Sequence, residues 1–345
     1  MKVTGLDREF TVIGENIHCT RVLLRKGKRI GPDPDGNESV LWTDPDGAER
    51  FLPIPDDIKE SSDYGQGRVK HIQVAVKAAM AGGEHAQTGL DYLRWAVKRQ
   101  VDAGVDFLDV NVDEISPKVP VQQETMDWLV RTVQSMTDAP LSIDSSLMEI
   151  IDTGMTAYDA SVGRPMLNSA SLERIEAVDL AAKPQAHVVI TSAGEASLPE
   201  DTAERIGNAT KTVDIAVSKG IPPSDIHVDL LVFPIAVDST YGKYFLDAAR
   251  GIRDHFGPDI HITGGMSNVS FGLPARKLVN EAFINLAIEH GADSAIIDPV
   301  ASNITAIIAA DRDAEAYQLA CKVLLGEDLY CENFIQAFRD GALAV

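Results

Sequence analysis

The chain has 345 residues, 45% of them hydrophobic, enough to build the core of one large domain or two ordinary ones. Its 52 acidic residues outnumber 31 basic ones, a formal charge of −21, and so negative a surface repels nucleic-acid phosphates and anionic membranes. Three cysteines, Cys19, Cys321 and Cys331, are too few, and odd in number, for a disulfide framework.

Residues 1–7 carry no apolar core of a signal peptide, and no apolar run approaches the ~20 residues of a membrane helix. A cytoplasmic protein is expected. Eight short runs rich in Val, Ile and Leu then follow one another, at 11–17, 107–112, 140–144, 165–171, 187–192, 226–233, 259–268 and 294–300. Such nearly continuous runs suit strands buried on both faces, as in parallel sheets. Between them lie helical stripes: Leu90, Leu93, Val97 and Val101; Met126, Leu129, Val130, Val133 and Met136; Val279, Ala282, Phe283, Leu286 and Ala287. Eight strand-then-helix units predict an α/β fold, a single (β/α)8 TIM barrel over 1–345. No Gly-x-Gly-x-x-Gly follows the first run, which argues against a doubly wound sheet. The regular spacing is broken by an insertion at about 20–68. It holds Asp-Pro-Asp-Gly turns at 33–36 and 44–47, and Val40, Leu41, Trp42, Phe51 and Leu52 flank the second. That pattern predicts a small hairpin over the barrel mouth, either a surface elaboration, a lid or a docking surface.

The polar residues at the ends of the runs are the candidate site: Glu15, Asp109, Asn111, Asp144, Asn168, Asp229 and Asn268. Strand carboxyl ends converge on one mouth of a barrel. Any one of these residues has a plain reading as a cap or strand-end hydrogen bond, but several aimed at one cavity do not. Asn268 stands in Gly264-Gly265-Met266-Ser267-Asn268-Val269-Ser270-Phe271-Gly272, where small residues make room for a flat ligand and bare backbone donors. An ionised Asp accepts two parallel N–H bonds from an amidine-like edge, while Asn both donates and accepts. The edge of a pterin offers those groups. A phosphorylated sugar fits poorly, because no Gly-rich loop with an adjacent Lys follows the last two runs.

The motifs Phe107-Leu108-Asp109-Val110-Asn111-Val112, Ile143-Asp144-Ser145-Ser146, Leu167-Asn168-Ser169, Val228-Asp229 and Gly265-Met266-Ser267-Asn268-Val269-Ser270 resemble those of the pterin-binding methyltransferases. That family includes methyltetrahydrofolate:corrinoid protein methyltransferases and the folate domain of cobalamin-dependent methionine synthase. The likeness runs from Ile13 through nearly the whole chain, apart from the insertion. It implies transfer of a methyl group between N5 of tetrahydrofolate and the cobalt of a corrinoid (cobalamin) carried by a separate protein. By the same resemblance Asp144, Asn168 and Asp229 bind the pterin ring, Asn111 lines the pocket, and Asn268 is catalytic at N5. Arg276 would meet the anionic tail of the folate, with Glu15 and Asp109 as possible additions. Co(I) would be the nucleophile toward N5-methylfolate. An Asn cannot supply a proton, but it can stabilise N5 as charge develops. A homodimer is expected on the same ground.

The chain departs from the family pattern in three places. Gly14-Glu15-Asn16-Ile17-His18 replaces Gly-Glu-Arg-x-Asn, Leu230 replaces a proline, and Asp113 stands where glycine is common. The alternatives are a condensation like that of dihydropteroate synthase, whose Asn-Val-Thr and Ser-Arg elements are missing here, and a non-catalytic pterin-binding subunit. Other signals are weaker. Asp259-x-His261-x-x-Gly264 matches a cobalamin-binding pattern but falls inside a strand run. His18 and Cys19 are adjacent, a poor geometry for zinc, so no metal is expected. Lys183 and Lys211 sit at no strand end, and Cys321 and Cys331 read as small apolar residues.

Overall fold

The computed structural model of the chain describes Leu6 and residues 9–343. The reading of residues 1–7 therefore lies, Leu6 apart, outside the described residues. Eight strands appear in the expected order: β1 (Thr11–His18), β2 (Phe107–Asn111), β3 (Leu141–Asp144), β4 (Met166–Ala170), β5 (His187–Thr191), β6 (Ile226–Asp229), β7 (His261–Thr263) and β8 (Ser294–Ile297). They form one eight-stranded sheet in the order β7-β6-β5-β4-β3-β2-β1-β8, with helices between them. A parallel bridge from Gly265 to Ile296 joins the ends of β7 and β8. The fold is a (β/α)8 barrel.

Two strands fall furthest short of their apolar runs. The sixth stops at Asp229 because Leu231 takes a left-handed backbone, φ +60°. The seventh stops at Thr263, and Met266–Ser270 winds into a 3-10 turn, so Asn268 stands on a turn and not on a strand. Gly264 permits this break, since a Cβ there would lie 2.9 Å from Val232 Cγ2 and 3.0 Å from the Phe245 ring.

The chain divides into two compact units. One, of residues 14–103 and 107–165, holds the outer half of β1 together with β2 and β3. Its helix Ala86–Asp102 buries Gly89, Tyr92, Leu93, Ala96 and Val97. The stripe thus runs slightly differently from the expected one, and Val101 is exposed. Gly89 explains the shift. A Cβ there would come 2.6 Å from the Ala75 carbonyl oxygen of helix His71–Ala81, so the two helices meet backbone to backbone. Helix Val119–Gln134 buries Met126, Leu129, Val130 and Val133 as its spacing predicts.

The insertion also belongs to this unit. Val22–Leu24 pairs antiparallel with Arg68–Lys70, clasping its two ends. Between them Ile30–Pro32, Glu38–Thr43 and Glu49–Pro53 form a three-stranded antiparallel sheet, one strand more than the hairpin read from sequence. Gly36 and Gly47 take positive φ in the two expected turns, where Asp33 and Asp44 accept from the backbone. Trp42 packs edge-on against Tyr92 (5.8 Å between ring centroids) and tilted against Trp95 (5.7 Å). The sheet therefore rests on helix Ala86–Asp102. Its apolar strand face needs cover, and the aromatic residues of that helix provide it.

The other unit comprises residues 104–106, those from 166 on and the start of β1. Helix Arg276–Glu289 buries Val279, Ala282, Phe283 and Ala287. Arg205, fully buried on helix Thr202–Ser218, donates from Nε to the Leu230 carbonyl (3.1 Å) and from Nη1 to the Asp201 carbonyl (3.1 Å), with its guanidinium over the Phe233 ring. It thereby pins the chain just beyond β6. Low on three neighbouring strands, His187, His227 and His261 form a row, the last two stacked with ring centroids 4.5 Å apart. Among the described residues no helix is long and apolar enough to cross a membrane.

Candidate functional site

Strand alternation decides which side chains of β2 and β3 share a face. Val110 pairs with Ile143, and Asn111 with Asp144. A Cβ on Gly154 of helix Met148–Ala157 would lie 2.5 Å from Ile143 Cγ2, so Ile143 faces the helix layer. Asp109, Asn111 and Asp144 accordingly point the other way, toward the barrel interior. Asn111 Nδ2 donates to Asp144 Oδ2 (2.8 Å), and its Oδ1 accepts from the Asp113 backbone N–H (2.9 Å). Asn111 is thus fully oriented, its amide group assigned by both partners.

Asp109 is almost wholly buried, and its Oδ2 lies 3.0 Å from Nε2 of His18, the last residue of β1. His18, Asp109 and Asp144 each bring one donor atom to within 4.8 Å of the others. Glu15, three residues earlier on β1, accepts from Arg21 Nη1 (3.1 Å). Burial and the charge of Asp109 push the Asp144 carboxyl up to about 7, against the pull of His18 and Asn111. His18 is raised above its ordinary value: burial opposes its charge, but the hydrogen bond and charge of Asp109, then Asp144 and Glu15, outweigh it. Asp113 accepts from the Ser145 hydroxyl and from the Ser146 N–H (2.9 Å), latching the loop beyond β3 to the loop beyond β2. The residue that departs from the family glycine therefore has a structural use.

In the second unit Asn168 lies buried on β4, and the neighbouring Ser169 hydroxyl accepts from Arg174 Nη2 (3.0 Å). Asp229 ends β6. Its Oδ1 accepts from the Leu231 N–H (2.8 Å), and burial pushes its carboxyl up to about 6. Beyond β7, the Asn268 side chain is exposed and folds back over Gly265, where a Cβ would come 2.9 Å from Asn268 Nδ2. Arg276, the first residue of its helix, donates to Ser270 Oγ (3.0 Å) and the Ser267 carbonyl (2.9 Å), and lies 4.4 Å from the centroid of the Phe271 ring. It fastens the turn that carries Asn268, a role the sequence did not suggest.

Of the sequence-chosen residues, Asn111, Asp144 and Asp229 end their strands, Glu15, Asp109 and Asn168 lie within β1, β2 and β4, Asn268 stands on the turn beyond β7, and Arg276 braces that turn. What sequence reasoning missed is His18. It was weighed against its neighbour Cys19, whereas its partner Asp109 is 91 residues away. Cys19 is buried, and burial pushes its thiol far up, so it is inert. Residues 80–298 match the family model described as pterin binding enzyme. The chain is 31% identical over 257 residues to a methylcorrinoid:tetrahydrofolate methyltransferase of Eubacterium limosum, covering 73% of this chain and 89% of that protein. It is similar in fold to a crystal structure of dihydropteroate synthase from Stenotrophomonas maltophilia with imidazole bound in its active site. There the TM-score is 0.50 and the identity 18%, covering 64% of this chain and 86% of the other.

Proposed function

Because this chain belongs to the pterin binding enzyme family, we propose that it is a methyltransferase moving a methyl group between N5 of tetrahydrofolate and the cobalt of a partner corrinoid protein. The observation that carries the reading is the group at the ends of β2 and β3, where Asn111 is locked onto the carboxylate of Asp144. Such acceptors match the N–H donors of a pterin's amidine-like edge and suit no phosphate or metal-free sugar as well. The methyl-transfer chemistry is supported by the curated relative, which is named for it.

In this reading Asp144, Asn168 and Asp229 hold the ring, Asn111 keeps Asp144 in register, and Asn268 meets N5. Glu15 and Asp109 stand behind the ring-binding groups. Arg276 keeps the Asn268 turn in place and, as the resemblance implies, would meet the anionic tail. When N5-methylfolate is the donor, the C–N bond breaks, its electron pair stays on N5, and N5 takes a proton. In the opposite direction the N5 lone pair forms the C–N bond and the N5 proton leaves. Asn268 acts in both by hydrogen-bonding N5 as its charge changes. The corrinoid supplies the cobalt that takes or gives the methyl group. In this reading it is carried on a separate protein, as the resemblance implies; the Asp259-x-His261-x-x-Gly264 pattern falls at β7, which His261 opens while stacking on buried His227.

The test is to mix the protein with N5-methyltetrahydrofolate and Co(I) cobalamin and follow absorbance. Loss of the Co(I) band with growth of methylcobalamin is the expected result. Absence of methylfolate binding by calorimetry would sink the reading.

A further inference from the structure

Two carboxylates and an imidazole packed together beneath one strand-end face ask for a reason. Asp109 already has a hydrogen-bonding partner in His18, and it faces no ligand role that Asp144 does not fill better, being almost wholly buried. Its negative charge also acts against Asp144, only a few ångströms away, because like charges resist joint ionisation. A pterin-binding carboxylate must nevertheless be ionised, since only then can both oxygens accept the N–H donors of the ring. Something positive has to sit between the two acids, and within this unit the group placed there is His18.

We infer that His18 is a positioning residue for the pterin pocket: its imidazolium, donating from Nε2 to Asp109 and lying against Asp144, holds Asp144 in the ionised state that accepts the pterin. The inference rests on the methylfolate reading above. The other charged groups around His18 fit it. Glu15 on β1 is neutralised by Arg21, Asp113 beyond β2 is occupied by Ser145 and Ser146, and Asp109 and Asp144 come from β2 and β3. Burial and the charge of Asp109 place the Asp144 titration at about 7, where a neutral-pH enzyme would feel it, and His18 is raised beside it by Asp109, Asp144 and Glu15. Folate affinity in this chain therefore becomes a property of the three groups as a set, and falls as pH drops through the Asp144 range.

The experiment is calorimetric titration of the full chain with N5-methyltetrahydrofolate from acid to mildly alkaline pH, in wild type, His18→Gln and Asp144→Asn, with and without a chelator. Gln keeps an N–H for Asp109 but carries no charge. The expected result for His18→Gln is that the acid loss of affinity moves up by one unit or more. Affinity then falls roughly tenfold at neutral pH and little at alkaline pH. Asp144→Asn is expected to bind weakly with a flat profile. A His18→Gln protein with the wild-type midpoint, whether its affinity is unchanged or uniformly reduced, would overturn the inference. So would a profile that changes with chelator, which would give the place of His18's charge to a metal ion. Should the variant not fold, wild type alone decides. Its His18 ring, followed by nitrogen NMR, is expected to titrate above the free-imidazole value, and folate binding in mild acid is expected to release a proton. No proton release overturns the inference. Wild type that binds no folate at any pH removes the pterin reading itself.

Discussion

Asn268 and Asp229 show two ways in which single residues serve the site. The Asn268 amide lies over Gly265 on a turn braced by Arg276, and no regular strand constrains it. If its contact with N5 strengthens only as charge develops, Asn268→Ala should lower the transfer rate about a hundredfold while changing methylfolate affinity little. Single-turnover rates set beside calorimetric affinities check this, and equal losses in both would make Asn268 a mere ring holder. Asp229 works differently. Its Oδ1 is committed to the Leu231 N–H, leaving Oδ2 for a ligand. Because burial raises its carboxyl to about 6, above the unfolded value, the folded state binds that proton more tightly. The charged form therefore weakens the ligand-free fold at neutral and higher pH; the penalty shrinks as pH falls through the folded value of about 6 and is gone only below the unfolded value of 3.8. Asp229→Asn should raise the melting temperature of the ligand-free protein by roughly 2 °C at pH near 8, abolish that part of its pH dependence, and cost folate affinity. A lower melting temperature would show that the carboxylate is structurally needed.

Among the elements, the insertion and the helix beneath it act as a pair. Val40 and Leu52 are fully buried and Trp42 nearly so, with Tyr92 and Trp95 as the receiving surface. Trp42→Ala should cost about 3 kcal/mol, seen as a lower urea midpoint, and leave methylfolate affinity near wild type, since none of the proposed pterin groups lies on the insertion. A large loss of affinity at intact stability would instead favour the lid among the three roles read from sequence. Most elements were legible because their apolar periodicity is strong, as in Met126, Leu129, Val130 and Val133. The exceptions have local causes. The left-handed Leu231 and the Gly264 break cut two strands short of their apolar runs, and close approach at Gly89 turned a helix so that Val101 came to the surface. The place of the insertion was illegible because it depends on a partner surface, Tyr92 and Trp95, that periodicity assigns only to a helix. His18 was illegible for a related reason: a strand-end pair between β1 and β2 is a matter of register, and its two residues are far apart in the chain.

For the whole molecule, charge dominates. With 52 acidic against 31 basic residues, the folded state carries dense surface repulsion that salt screens over a Debye length of about 8 Å at physiological ionic strength. The melting temperature should rise with sodium chloride up to about 0.5 M and then level off; a fall would show that its surface ion pairs outweigh the repulsion. The antiparallel clasp of Val22–Leu24 on Arg68–Lys70 has a consequence of its own. It brings the two ends of an excursion of more than forty residues side by side, with Leu24 opposite Arg68. A short turn joining those two positions would excise the three-stranded sheet without pulling on β1, provided Trp95 were exchanged for a polar residue. The same junction would accept a foreign domain whose own termini are close together, making it a grafting point for a reporter module.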